Sequence, residues 1–239
     1  MTALQTIAAR TPLHHWHTRH GARFVQRDGW LVVESYAGAD EELAAAQRGL
    51  VIADLSAHAK MSLLGQEVAA AGEILLGPGK VVEPLRVQHF DAPCTGLACR
   101  LARDHLLLLA NVIDPFVLLG LHAQAGGDRG VVRQDVTSAF AGFGLAGPGI
   151  EQLLSSLTAL DPRAFSPGSC AETNLAGVHG VLLRPPEGNR LQVYVAWDLG
   201  EYVWERLMHT GRLNHITPIR LAAWEALAAG SDREGPPRV

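Results

Sequence analysis

Cysteine is scarce in this chain: its 239 residues include three, Cys94, Cys99 and Cys170. An odd and sparse cysteine count argues against a disulfide framework and favours a reducing compartment. Because Cys94 and Cys99 stand five positions apart with no second pair, we expect no zinc, iron–sulfur or haem site.

Charge and long apolar runs are also limited. Charged residues make up 18% of the chain and the net charge is −4, so the sequence lacks the basic surface that nucleic-acid partners require. The N-terminus has no apolar core of the kind found in secretion signals, and the longest apolar stretches, 106–110 and 112–121, are too short to cross a membrane. We therefore expect a cytoplasmic protein with no nucleic-acid or membrane partner.

What the chain does have is enough apolar sequence, 48%, to bury one substantial core. Pro12 and Gly21 bracket a short predicted helix. Asp28–Gly29, between strand-like runs at 22–25 and 30–35, predicts a hairpin turn. Asp40 is a candidate cap for a helix over 41–48, and a last helix is predicted over 219–229.

Strand and helix patterns recur at a nearly constant spacing. A strand, a glycine and a helix occur around Gly65 and again around Gly147, 82 residues later. Apolar strands that lead into helices end at Ala110 and at Ala196, 86 residues apart. This repetition predicts an α+β fold made of two duplicated, intertwined βαβ-type (ferredoxin-like) halves. We expect the halves at about 22–125 and 126–230, within one core over 1–230, and a polar tail over 231–239. Neither glycine turn has a phosphate-loop pattern.

An ordered set of residues in the first quarter of the chain resembles the N-terminal part of the glycine cleavage T-proteins, the folate-binding aminomethyltransferases. The matching residues are Thr11, Pro12, Leu13, Gly21, Ala22, Gly29, Trp30, Arg48, Gly49, Leu50, Asp54, Ser56, Lys60 and Gly65. The second half, in the run LDPRAFSPGSCAETNLA at 160–176, is similar to the gamma subunit of heterotetrameric sarcosine oxidase. The resemblance implies a T-protein core with tetrahydrofolate as candidate cofactor. Because the sequence stops at Val239, we expect no C-terminal barrel.

The sequence departs from the T-protein pattern where catalysis is expected. Counting back from Asn111, the two carboxylates of the family fall on Cys94 and Thr95. A thiol and a hydroxyl cannot replace a carboxylate that stabilises developing charge, so the catalytic positions are degenerate. Asp91, upstream of this pair, is the candidate replacement acid. A basic family position is likewise occupied by Ala228.

Four residues are candidates for folate binding: Asp54, Ser56, Asn111 and Arg184. Asp54 and Ser56 alternate with two further polar residues along one strand-like run, which either borders the folate cavity or forms an internal hydrogen-bond network. The Asn111 amide suits a pterin edge, but it would equally cap a helix over 113–122. The Arg184 guanidinium could hold the glutamate tail of folate.

Two other clusters are ambiguous. His14, His15, His17 and His20 share a short helix, where a solvated helix is favoured over a metal site. The aromatic residues Tyr194, Trp197, Tyr202, Trp204 and Trp224 form either a stacking platform for a flat ligand or part of the core.

Three functions remain open at this point. The first is a tetrahydrofolate-binding protein of one-carbon metabolism with degenerate transferase positions, whose partner is folate or a one-carbon donor. The second is a non-catalytic gamma-type subunit of a sarcosine oxidase-like amine-oxidising complex, beside a larger flavoprotein subunit. The third is an active folate-dependent aminomethyl or methyl transferase that uses Asp91 or Asp54 as its acid.

Overall fold

The computed structural model describes residues 7–36, 42, 44, 49–77, 80, 82–91, 94–114, 116–117, 120 and 130–231. In chain order the strands are β1 (Ala9–Arg10), β2 (Arg23–Arg27), β3 (Trp30–Ser35), β4 (Val51–Asp54), β5 (Lys60–Leu64), β6 (Val87–Phe90), β7 (Gly96–Ala102), β8 (His105–Ala110), β9 (Val132–Asp135), β10 (Phe140–Ala146), β11 (Ser169–Leu175), β12 (Val178–Arg184), β13 (Arg190–Ala196) and β14 (Thr217–Ile219). The helices are α1 (His14–Arg19), α2 (Val68–Leu76), α3 (Ile150–Leu157), α4 (Gly200–Thr210) and α5 (Leu221–Ser231). None of the helices in these ranges has the length and apolar character needed to span a membrane.

A small sheet with the strand order β1-β3-β2 contains the predicted hairpin. Its turn is formed by Asp28 and Gly29, which both have positive φ angles, 44° and 83°. Two successive positive φ angles match the right-handed twist of paired strands. The hairpin prediction is therefore confirmed, as are the helices predicted after Gly65 and after Gly147, which the structure shows at 68–76 and 150–157.

The two larger sheets repeat one strand order. The five-stranded sheet runs β6-β7-β8-β5-β9 and the six-stranded sheet runs β11-β12-β13-β10-β4-β14. In each sheet one strand (β5 or β10) leads into a helix (α2 or α3), and three antiparallel strands then return beside the first. The predicted α+β fold class is confirmed.

Each sheet also takes a strand from the other half of the chain. β4 precedes the first strand–helix unit yet pairs with β10, where Asp54 lies opposite Phe143. β9 follows that unit and pairs with β5, where Asp135 lies opposite Met61. The halves are therefore intertwined. The predicted boundaries at 22–125 and 126–230 stay a prediction.

The core lies in layers. Buried side chains of both large sheets meet in one cluster, in which Leu97, Cys99 and Leu107 face Val181 and Tyr194. Helices cover the outer faces of the sheets, since α3 and α4 bury their apolar sides against the six-stranded sheet and α2 buries its side against the five-stranded sheet.

The polar run from Asp54 to Lys60 is not one strand. β4 ends at Asp54 in one sheet, and β5 begins at Lys60 in the other. The Nζ atom of Lys60 donates to the backbone oxygens of Leu55 (3.4 Å), Ser56 (2.9 Å) and His58 (2.8 Å). These bonds fold residues 55–59 into a loop between the two strands. The side chains of Asp54, Ser56, His58 and Lys60 therefore do not lie on one face of a single strand, and that part of the prediction is wrong.

Candidate functional site

A cleft of about 280 Å³ opens between the end of β8 and helix α5. Its walls come from segments far apart in sequence. The lining residues are Arg27, His58, Thr95, Asn111, Trp224, Glu225 and Ala228. The cleft thus combines an amide, a hydroxyl, a carboxylate and an indole ring.

Asn111 stands where β8 ends. Its backbone N–H donates to the carbonyl oxygen of Thr95 (2.9 Å), and its Nδ2 atom is 3.5 Å from Thr95 Oγ1. The sequence also made Asn111 a candidate cap for a helix over 113–122. Asp114 takes part of that role, because its Oδ1 accepts a hydrogen bond from the Phe116 N–H (2.9 Å). The Asn111 amide therefore lines the cleft, with both a donor and an acceptor to offer.

Glu225 is the carboxylate of the cleft. Arg27 holds it with two hydrogen bonds, from Nη1 and Nη2, each 3.2 Å long, and His58 Nε2 lies 3.4 Å from its Oε1. Burial raises the pKa of Glu225, but the bonds from His58 and Arg27 outweigh burial and leave that pKa lowered. Burial also lowers the pKa of His58. At neutral pH the cleft therefore holds an ionised carboxylate paired with a guanidinium.

Sequence reasoning assigned no site role to Arg27 or Glu225. It considered His58 only as one of the polar residues of the run from Asp54 to Lys60, which either borders the folate cavity or forms an internal network, and His58 does line the cleft. The pairing of Arg27 with Glu225 joins residues 198 positions apart, which no local pattern contains.

Asp54 lies in a buried network outside the cleft. Tyr36 Oη donates to His17 Nδ1 (2.6 Å), and His17 Nε2 donates to Asp54 Oδ2 (3.1 Å). The Ser56 N–H donates to Asp54 Oδ1 (2.9 Å). Burial raises the pKa of Asp54, yet these hydrogen bonds dominate and its pKa is lowered.

The other predicted residues are dispersed. Ser56 is buried, and its Oγ accepts a bond from the Gly142 N–H (3.1 Å). Arg184 is buried beside α3 and donates to the carbonyl oxygen of Phe165 (3.0 Å). Asp91 is exposed after β6 and is absent from the cleft lining. Asn111 is thus the one predicted site residue that lines the cleft, and the roles given to the others stay predictions.

The histidine helix differs from the solvated helix that we expected. His17 is fully buried in the Asp54 network, and His20 stacks on Trp16 with 3.7 Å between ring centroids. The expectation is wrong for His17, because its two ring nitrogens have buried partners. Within the described ranges, no group of three or more His, Cys, Asp or Glu side chains is placed to hold a metal.

The aromatic residues of the last third mostly belong to the core. Trp204 and Tyr194 are fully buried, and Trp197 packs against Trp30. Trp224 is the member of this set that lines the cleft, where its ring forms one wall. Tyr202 is 47% exposed and lies outside the cleft lining, so this set does not form one stacking platform in the cleft.

Solved structures of other proteins share this architecture. The chain superimposes on the glycine cleavage system aminomethyltransferase T from Bartonella henselae with a TM-score of 0.76, at 17% identity, over 90% of this chain and 60% of that one. The chain has the fold of the glycine cleavage T-proteins. It also matches a chain of heterotetrameric sarcosine oxidase from Corynebacterium sp. U-96, with a TM-score of 0.61 and 17% identity, over 85% of this chain and 94% of that one.

Curated sequences agree with the fold. The chain is 26% identical to an aminomethyltransferase of Desulfitobacterium hafniense strain Y51, over 93% of its own length and 64% of that relative. It is also 26% identical to an aminomethyltransferase of Geobacillus kaustophilus strain HTA426, over 91% of this chain and 63% of the relative. No protein-family model matches. The T-protein resemblance is confirmed, and the chain spans less than two thirds of the length of these curated relatives.

Proposed function

We propose that this T-protein-like chain binds tetrahydrofolate and serves one-carbon metabolism, with the pterin end of the folate in the cleft between β8 and α5. One observation carries the proposal. Asn111 lines this cleft, and the T-protein resemblance directs an asparagine at this position towards the pterin. The similarity to aminomethyltransferases over 93% of the chain supports the same assignment.

The residues of the cleft fit a pterin. Ligand pockets commonly enclose about 300–1,000 Å³, so a volume of about 280 Å³ suits the bicyclic end of the molecule rather than the whole folate. Asn111 offers a donor and an acceptor, Glu225 accepts from ring N–H or amino groups, and Trp224 provides an apolar wall. When bound, a reduced folate supplies the nitrogen that carries a one-carbon unit.

Catalysis by the isolated chain is expected to be weak. Neither Cys94 nor Thr95 offers a carboxylate, and the Glu225 carboxylate is already paired with Arg27. A carboxylate neutralised by a guanidinium is a poor base and a poor stabiliser of new positive charge. We infer that the chain binds folate with degenerate aminomethyltransferase positions. The active-transferase alternative would need Asp91 or Glu225 to act, since Asp54 is committed to His17.

A second candidate is a subunit of an amine-oxidising complex. It is supported by the structural match, which covers 94% of the sarcosine oxidase chain and 60% of the aminomethyltransferase structure. In this alternative the scaffold contacts a larger flavoprotein subunit, and the cleft need not bind folate.

Titration calorimetry with 5-formyltetrahydrofolate tests the proposal. We expect the wild-type chain to bind and the Asn111→Ala variant to bind about tenfold more weakly, because two neutral hydrogen bonds contribute roughly 0.5–1.5 kcal/mol each. Asn174→Ala, an exposed asparagine on β11, is the matched control and should bind as the wild type does. Equal affinity in Asn111→Ala would remove Asn111 from the site. An absence of wild-type binding at millimolar folate would favour the subunit alternative.

A further inference from the structure

A second cavity, of about 310 Å³, is lined by residues of both large sheets. It shares no lining residue with the cleft at Asn111. Both sheets and the segment that connects β9 to β10 contribute to its walls. The lining residues are Ser62, Leu101, His105, Leu107, Val136, Phe140, Glu172, His179, Gly180, Val181, Ala196 and Leu199.

The interior of this cavity is apolar. Leu101, Leu107 and Val181 belong to the core cluster between the sheets and are at most 5% exposed. Val136 and Phe140 pack against the same cluster from the side. The cavity thus continues the inter-sheet core as an opening lined by aliphatic side chains and one phenyl ring. Such a space favours an apolar body, because burial of apolar surface is the main favourable term there.

Four polar side chains line the cavity, Ser62, His105, Glu172 and His179, and Glu172 is the carboxylate among them. Ser62 Oγ lies 3.0 Å from His105 Nε2, inside the cavity. The Glu172 carboxylate, 42% exposed, stands at the mouth and is 3.8 Å from the exposed ring of His179. Burial lowers the pKa of His105, although Glu172 and Asp104 act in the opposite direction. Among the described residues that line the cavity there is no lysine or arginine.

We propose that this cavity binds a small primary amine with a hydrophobic body about the size of a phenylethyl group. The body would occupy the space between Leu101, Phe140 and Val181, and the ammonium group would face Glu172 at the mouth. The Glu172 carboxylate would repel an anionic ligand, and a neutral ligand would form no ion pair with it. Electrostatics therefore selects the amine over an acid or alcohol of the same shape.

The test uses three probes of similar shape: 2-phenylethylamine, 2-phenylethanol and 3-phenylpropanoate, titrated at neutral pH by NMR. We expect the amine to bind most tightly, with shifts centred on β11 and β12. Glu172→Gln should weaken amine binding about fivefold, the effect of a partly exposed ion pair. Glu34→Gln removes an exposed carboxylate on β3 and should leave binding unchanged.

A plugging variant gives an independent result. Ala196 is exposed at the end of β13 on the cavity rim, so Ala196→Phe should obstruct the mouth while the core stays intact, and should abolish amine binding. Saturating 5-formyltetrahydrofolate should leave amine binding unchanged, because the two sites share no residue. Amine affinity that equals that of the alcohol, or that Glu172→Gln leaves unchanged, would overturn the proposal.

Discussion

At the scale of single residues, Lys60 is an ionisable group in the middle of the core. It is 1% exposed, and its Nζ lies 5.7 Å from the centroid of the Tyr194 ring. Its bonds to backbone oxygens of the loop after β4 satisfy carbonyl groups that have no strand partner. The residue therefore allows the chain to leave one sheet and enter the other within five residues, 55–59.

This lysine should make stability depend on pH. Burial lowers the pKa of Lys60 to about 7. The negative charges of Asp54 and Asp135 act in the opposite direction but do not offset burial. In the unfolded chain a lysine titrates near 10.4. Between pH 7 and 10 the unfolded state therefore binds more protons, so this group makes the free energy of unfolding rise with pH. We expect the free energy of unfolding of the wild type, relative to that of Lys60→Met, to increase from pH 7 to pH 10 when both are measured by urea unfolding.

Lys60→Met should also be less stable than the wild type at pH 10, by about 3 kcal/mol, because its carbonyl acceptors lose their donor while still buried, and this deficit should shrink as the pH falls towards 7. Lys80→Met, at an exposed lysine, is the matched control and should change little. A stability difference between wild type and Lys60→Met that stays constant from pH 7 to 10 would contradict the lowered pKa.

A second prediction at this scale concerns transfer chemistry. Thr95 is exposed in the cleft beside Asn111, so an aspartate there would place a carboxylate where the T-protein pattern has one. Because a group that stabilises transition-state charge is commonly worth about 10²–10³ in rate, we expect the wild type to be nearly inactive in a coupled aminomethyl-transfer assay with tetrahydrofolate. Thr95→Asp should raise the rate about tenfold or more.

The wild type itself provides the decisive comparison in that assay. Turnover equal to that of a full-length T-protein would refute the degenerate assignment. If such turnover then disappeared in Asp91→Asn, Asp91 would be identified as the replacement acid.

At the scale of elements, the two strand-to-helix junctions repeat a glycine turn. Gly65 and Gly147 have φ angles of 149° and 110°. A Cβ atom on Gly65 would lie 2.1 Å from the carbonyl oxygen of Gly130, and one on Gly147 would lie 2.4 Å from that of Gly49. These glycines therefore permit close backbone packing, in agreement with the tight turns that the sequence predicts.

Two glycine-to-alanine substitutions separate the stability cost of a left-handed backbone conformation from the cost of a steric collision. Gly29→Ala, in the hairpin turn at φ 83° with no atom within 4 Å of the new Cβ, should cost about 1 kcal/mol for the left-handed conformation alone. Gly147→Ala adds a collision with backbone and should cost more than about 3 kcal/mol. Urea unfolding of both variants measures the difference, and equal losses would show that the approach to Gly49 is not tight.

The elements that could be predicted from sequence are those with a local signal. Asp28–Gly29 predicts the hairpin, and the repeated strand–glycine–helix pattern at Gly65 and Gly147 predicts the helices seen at 68–76 and 150–157. β11 was missed because it carries polar residues at most positions, and it lies at an edge of its sheet. The break between β4 and β5 was missed because the bonds of Lys60 that cause it depend on the folded loop.

At the scale of the whole molecule, the intertwined topology brings residues from distant parts of the chain together in the candidate site. Arg27 comes from the hairpin, Asn111 from the end of β8 and Glu225 from α5. The family resemblance could identify Asn111, because this residue directly follows the apolar strand at 106–110. It could not pair Arg27 with Glu225, which meet only after both halves have folded.

The measurement that tests folate binding in this cleft most directly is a crystal structure of the full chain with 5-formyltetrahydrofolate. We predict electron density for the pterin between Asn111, Trp224 and Glu225, with hydrogen bonds to the Asn111 amide. Density for the folate at another surface, or a cleft that stays free of ligand at saturating folate, would contradict the proposal.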